Sequence, residues 1–99
     1  DAKNIETASY GIPEIFREFI KKSSLVANPG CYPTATILAL YPFLEYIEKD
    51  VFVDAKSGVS GAGKKLIPTT HFVTDNENFF AYNPINHRHS IEIEEKTGL

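Results

Sequence analysis

With 99 residues, 42% of them hydrophobic and 23% charged, the chain has material for one small domain with a core and is not compositionally disordered. A net charge of −3 offers no basic surface to nucleic acid or an anionic membrane, and no apolar run approaches the length of a membrane span. The single cysteine excludes an internal disulfide and fits a reducing, cytoplasmic setting.

Residues 1 to 9 are polar and read as a frayed start or linker. Ile12, Ile15, Phe16, Phe19 and Ile20 then recur at the spacing of one helix face. Pro13 suits the first turn, Glu14 its positive end, Lys21 and Lys22 its negative end, and Ser23-Ser24 close it. Leu25-Val26-Ala27 predicts a short buried strand, broken by Asn28-Pro29-Gly30. Pro33 fits the first position of a second helix whose buried face is Ile37, Leu40, Tyr41, Leu44 and Ile47, with Pro42 bending it near Leu38.

Val51 to Lys56 reads as a second strand, running into a flexible loop from Ser57 to Lys65. Residues 66 to 78 look irregular, and Phe79 to Tyr82 fits a short strand. The stretch from His87 to Lys96 is two-sided. His89, Ile91 and Ile93 alternate as in a strand, whereas Ser90 followed by Glu92, Glu94 and Glu95 reads as a capped helix start, which is preferred. The order of elements predicts an α+β fold, a two-layer α/β sandwich. The absence of Met, the start at Asp1 and the stop just past a charged amphipathic stretch predict a piece of a longer protein, a processed domain being the alternative.

Three groups can carry chemistry. Cys31 stands where a strand gives way to a helix. A sulfur there faces free backbone N–H groups and the positive end of the helix dipole, which favour the anion a nucleophilic cysteine needs. A buried cysteine acting as a small hydrophobe is the equal alternative. The run Gly58-Val59-Ser60-Gly61-Ala62-Gly63-Lys64 matches the start of a nucleotide-phosphate loop. Lys65 replaces the magnesium-binding hydroxyl and Pro68 argues against a following helix, so a nucleoside triphosphatase is rejected. What remains is an anion site built from glycine N–H groups, Ser57 and Ser60, with Lys64 or Lys65 adding charge, or else a plain surface loop.

His87 and His89 flank Arg88. A metal pair lacks a third ligand, so no metal is expected; one histidine as proton carrier for Cys31 is the more economical reading. Arg88 suits a carboxylate or phosphate.

The blocks Asn28 to Ala35, Asp54 to Gly63, and His87-Arg88-His89 with Glu92-Ile93-Glu94, preceded by Tyr10-Gly11-Ile12-Pro13-Glu14, together resemble the N-acetyl-gamma-glutamyl-phosphate reductases, the arginine-biosynthetic branch of the semialdehyde dehydrogenase family. The resemblance implies that residues 1–99 are part of a catalytic and dimerisation domain like that of glyceraldehyde-3-phosphate dehydrogenase. It implies a homo-oligomeric, NADP-dependent enzyme that turns an acyl phosphate into an aldehyde. Cys31 would form the acyl thioester. His89 would be the acid/base, with His87 as a substrate contact or alternative base. Asn28, Ser57, Gly58, Ser60, Gly61 and Arg88 would meet substrate. The glycine fingerprint of a dinucleotide-binding Rossmann domain is absent, so the cofactor domain is expected elsewhere and this piece alone should be inactive. Aspartate-semialdehyde dehydrogenase or aminoadipyl-phosphate reductase chemistry, and a non-enzymatic assembly module, are the alternatives.

Overall fold

The computed structural model describes residues 2–48 and 50–99. The start of the chain is ordered into helix α1 (Ala2–Thr7) and strand β1 (Ser9–Tyr10), not the frayed segment its polarity predicts; Asp1 lies outside the described residues. The ladder partner explains the difference. Ser9 N–H donates to the Leu25 carbonyl and Gly11 N–H to the Ala27 carbonyl, each at 2.9 Å. Pairing with a distant segment overrides local composition.

Helix α2 (Pro13–Lys22) forms where the periodicity places it, with Pro13 in its first turn and Ser23 N–H closing on the Ile20 carbonyl. Its backbone departs from helical geometry at Phe16 (φ −111°, ψ 22°). Ile12 is buried, while Phe19 is exposed, so the covered face is narrower than the sequence pattern. The chain returns in β2 (Val26–Ala27), parallel to β1 with Ser9 opposite Val26 and Tyr10 opposite Ala27. Contrary to the expectation of a buried strand, β2 is exposed: a sheet of two strands leaves an open edge.

Helix α3 (Cys31–Leu40) begins two residues earlier than Pro33 implies. Gly30 is its N-cap, in extended backbone, and its carbonyl accepts from both the Thr34 N–H at 3.1 Å and the Thr34 hydroxyl at 2.7 Å. Pro33 is therefore the third helical residue, where a missing N–H costs little because first-turn donors have no intrahelical acceptor. The expected bent helix through Ile47 is also corrected. α3 ends at Leu40 and a 3₁₀ turn, Tyr41–Tyr46, takes over. Pro42 cannot donate to the Leu38 carbonyl and crowds it, so the backbone tightens instead of bending.

Residues 51 to 56 and 79 to 82 form no strand, because neither finds a ladder partner among the described residues. Between them lie 3₁₀ turns at Val59–Ala62 and Pro68–Thr70 and the short helix α4 (Phe72–Asp75), so the stretches read as loop and irregular chain carry local turns. The last stretch is helix α5 (Arg88–Thr97), closed by Gly98 in the left-handed region (φ 76°), with His87, not Ser90, as N-cap.

α3 packs against α5, and the buried residues among those described are Ile12, Pro33, Thr36 and Ile37. The accessible surface is 8332 Å²; a compact monomer of this mass exposes about 5,700 Å². Large apolar side chains such as Phe52, Phe72 and Ile85 stand in solvent. The architecture is mixed helix with one small sheet, compatible with the α+β class.

Candidate active site

Two chain segments converge to make the site. The β2 strand delivers Asn28-Pro29-Gly30 into α3, which places Cys31 at the first helical position, exposed and free. The buried-core alternative for this cysteine is thereby excluded. The first-turn N–H groups of Cys31 and Tyr32 point past the helix end, since no carbonyl precedes them in the helical ladder. The other segment is the entry to α5, which brings His87 and His89.

His89 lies against the backbone of Gly30. A Cβ on Gly30 would stand 2.8 Å from His89 Cε1 and 2.9 Å from Nε2. Only glycine permits this approach without moving the ring, and it puts the imidazole beside the residue that precedes the cysteine. Nδ1 of His89 is buried without a hydrogen-bond partner. The His87 and His89 rings meet edge to face with centroids 4.8 Å apart, and Tyr32 packs on both, at 5.5 Å and 6.2 Å.

His87 is held at both nitrogens. Its Nδ1 accepts from the His89 N–H at 3.2 Å, and its Nε2 lies 3.1 Å from the Tyr82 hydroxyl. Its pKa is lowered, first by burial and then by the charges of His89 and Arg88. The Tyr82 phenol is pushed up to about 12 by partial burial, then by hydrogen bonding and charge from Tyr32 and by the charge of Cys31, against a smaller opposite effect of Arg88.

An open groove of about 500 Å³ runs from Cys31 along α3, between Thr36 and Leu40 on one side and Val53, Asp54 and Ser57 on the other. Of the residues expected to meet substrate, Ser57 shares this groove with Cys31. Gly58, Ser60 and Gly61 lie in the adjacent exposed turn, where Gly61 approaches Ser57 so closely that a Cβ would stand 2.5 Å from its Oγ. Asn28 is exposed beside Gly11, with its amide donating to the Pro29 carbonyl at 3.3 Å. Arg88, the first residue of α5, is exposed. Among the described residues, no group of three His, Cys, Asp or Glu side chains is arranged to hold a metal, and no helix is long and apolar enough to cross a membrane.

Sequence reasoning missed three tyrosines. Tyr32 and Tyr82 wall the histidine pair. Tyr10 donates to Glu92 Oε1 at 2.6 Å and carries the Lys96 ammonium 5.1 Å from its ring centroid, joining β1 to α5. Burial raises its pKa, followed by the hydrogen bond to Glu92 and the charges of Glu92 and Glu95. Tyr32 had a signal, its place next to Cys31; the contacts of Tyr10 and Tyr82 depend on chain reversal and leave no pattern in the sequence.

The arrangement holds groups of the kind that acyl transfer needs. An exposed sulfur at a helix start, an imidazole one residue away in space, and an open groove with polar groups at its rim suit attack on an activated acyl carbon.

The family model for the dimerisation domain of semialdehyde dehydrogenases matches residues 31–99. The chain is 61% identical over 101 residues to an N-acetyl-gamma-glutamyl-phosphate reductase of Campylobacter hominis, an alignment covering 100% of this chain and 30% of that protein. It is 63% identical over 95 residues to the enzyme of that name from Campylobacter curvus (94% and 28%) and 57% identical over 94 residues to that of Aquifex aeolicus (92% and 27%). The chain thus spans 30% or less of the length of these relatives.

Proposed function

Because the chain belongs to the semialdehyde dehydrogenase family, matching its dimerisation domain over residues 31–99, we propose that it is the acyl-transfer portion of a reductase that converts N-acetyl-glutamyl 5-phosphate into the 5-semialdehyde and phosphate. The observation that carries the reading is the seat of His89 on Gly30, next to an exposed Cys31 at the start of α3. The names of the relatives support this substrate over the aspartyl and aminoadipyl phosphates.

In this reading Cys31 Sγ gives up its proton to His89 and attacks the acyl carbon. The S–C bond forms, the C–O bond to phosphate breaks, and phosphate leaves with the electron pair. First-turn N–H groups of α3 and Arg88 at the start of α5 supply the positive partners for the charge that develops. Asn28, Ser57, Ser60 and the glycines Gly58 and Gly61 line the approach of the substrate. His87 holds the histidine pair in place.

The activity implies NADPH as hydride donor, and the residues of this chain do not fit its pyrophosphate. The β1–α2–β2 unit has the parallel topology of a dinucleotide fold, but only Gly11 stands at its turn, and a Cβ there would meet Asn28 Cα at 3.0 Å and its Oδ1 at 3.1 Å, so that turn is filled from within. We assign the cofactor to a Rossmann domain outside residues 1–99, and the domain like that of glyceraldehyde-3-phosphate dehydrogenase, a two-layer sandwich, to the assembled enzyme. A cytoplasmic homo-oligomer is the expected form.

Cys31→Ser in the full-length reductase tests the reading. Turnover of the acyl phosphate should fall by at least ~10³-fold, the usual scale for removing a covalent nucleophile, and burst release of phosphate should vanish. A Cys31→Ser enzyme that still releases a burst of phosphate would sink the assignment. Residues 1–99 alone should show no NADPH oxidation.

A further inference from the structure

His87 occupies a position that a proton-carrying histidine could not hold. Its Nδ1 accepts from the His89 N–H, which can only donate, so Nδ1 carries no proton. In neutral imidazole the proton is then on Nε2, and the group 3.1 Å away, the Tyr82 hydroxyl, accepts it. Protonating His87 would place a second proton on Nδ1, facing the amide that caps the first turn of α5. The groups facing the ring are His89, Arg88, Tyr82 and Tyr32, and none is an anion that would compensate that charge. The lowered pKa of His87 agrees with this geometry.

We propose that Tyr82 and His87 form a positioning pair for His89, fixing a single imidazole tautomer whose task is to cap α5 and aim the His89 ring at the Gly30–Cys31 corner. This rests on the reading of Cys31 and His89 as the reacting pair. The sequence Tyr82 Oη, His87 Nε2–H, His87 Nδ1, His89 N–H is a continuous hydrogen-bond path from the loop before α5 into its first turn. A histidine at an N-cap is a poor substitute for Asn, Asp or Ser unless its tautomer is fixed; the His89 amide fixes it, and the tyrosine anchors the other end of the ring. The hydroxyl of Tyr82, having accepted from His87, keeps its own O–H to donate on the side of Tyr32 and Cys31.

The test uses the full-length reductase with ¹⁵N-labelled histidine. In the wild-type enzyme His87 should show a protonated Nε2 and bare Nδ1 at neutral pH, and should gain its second proton only at lower pH than an ordinary imidazole, which charges near 6.5. Tyr82→Phe should leave Cys31, His89 and the His87 tautomer intact but free the His87 Nε2–H, speeding its exchange with solvent, and lower kcat about tenfold with a smaller change in KM. His87→Asn, which keeps an acceptor for the His89 amide, should be about tenfold more active than His87→Ala, the scale of one N-cap. The proposal is overturned if His87 titrates like a free imidazole, if Tyr82→Phe leaves both the Nε2–H exchange and kcat unchanged, or if His87→Asn is as inactive as His87→Ala. Should Cys31→Ser retain the phosphate burst while the tautomer result stands, the acyl-transfer reading fails and the positioning pair survives.

Discussion

The cysteine–histidine corner and the stretch from Val51 to Thr69 are built on opposite terms. At the corner, Gly30, Cys31, His87 and His89 are fixed by a capped helix start, a shared glycine contact and hydrogen bonds at both nitrogens of His87. From Val51 to Thr69 every residue is exposed, and order comes from two short 3₁₀ turns. The proposed reacting groups are therefore set by contacts within this chain, while the groove's far wall, with Ser57 and the glycine turn, is held by local turns alone. Phe52 and Leu66 are exposed there, and burying such side chains contributes about 1.5–3 kcal/mol each.

Substitutions at the corner should accordingly act on chemistry, and those in the loop on binding. After loss of Cys31, the steepest decline is expected for His89→Gln, which removes the proposed proton carrier: kcat should fall ~10²–10⁴-fold with KM little changed, and its pH profile should lose the limb assigned to the base. A full-activity His89→Gln enzyme would move the role elsewhere. Gly30→Val comes next. Its side chain enters the space of the His89 ring, so we expect a ~10–100-fold loss in kcat, of the order of a misplaced reacting group, in a protein that remains folded by circular dichroism. Loss of folding would instead show that Gly30 serves the β2–α3 connection alone.

Ser60→Ala in the loop should change KM for the acyl phosphate by only about two- to tenfold, the value of one hydrogen bond, with kcat held. A fall in kcat equal to that at the corner would erase the contrast between the two regions. The mildest change concerns Tyr10, whose phenol ionises later in the folded chain than in the unfolded one. The unfolded state then gives up this proton first. Its contribution to stability is full below the unfolded pKa of 10.0 and is lost as pH rises above it. Tyr10→Phe should flatten that alkaline decline in thermal midpoint, and an unchanged slope would rule Tyr10 out as its source.

Much of the local structure was legible because it is local. Helix α2 follows from apolar spacing and end charges; α5 is expected as a helix but from the wrong signal, since its cap is His87 and not Ser90 and its first turn holds no acidic residue. The expected strands at 51 to 56 and 79 to 82 fail for one physical reason. A strand is stabilised by its ladder partner, and β-branched or aromatic residues cannot supply one by themselves. Residues 9 and 10 show the converse, becoming a strand because β2 stands beside them.

The order of residues was enough to single out the candidate groups, a lone cysteine at a strand–helix junction and a histidine pair, since residue chemistry and turn signals need no tertiary context. It was also enough to reject the Gly58–Lys64 run as a nucleotide loop, from Lys65 and Pro68 alone. Folding in three dimensions was needed to establish that Cys31 is exposed and opens α3, that His89 rests on Gly30, and that His87 lies between the His89 amide and the Tyr82 hydroxyl. Those facts depend on α3 and α5 packing together across more than forty residues of intervening chain. Contacts closed over so long a loop are set by the sum of burial and hydrogen bonding, which no short pattern records.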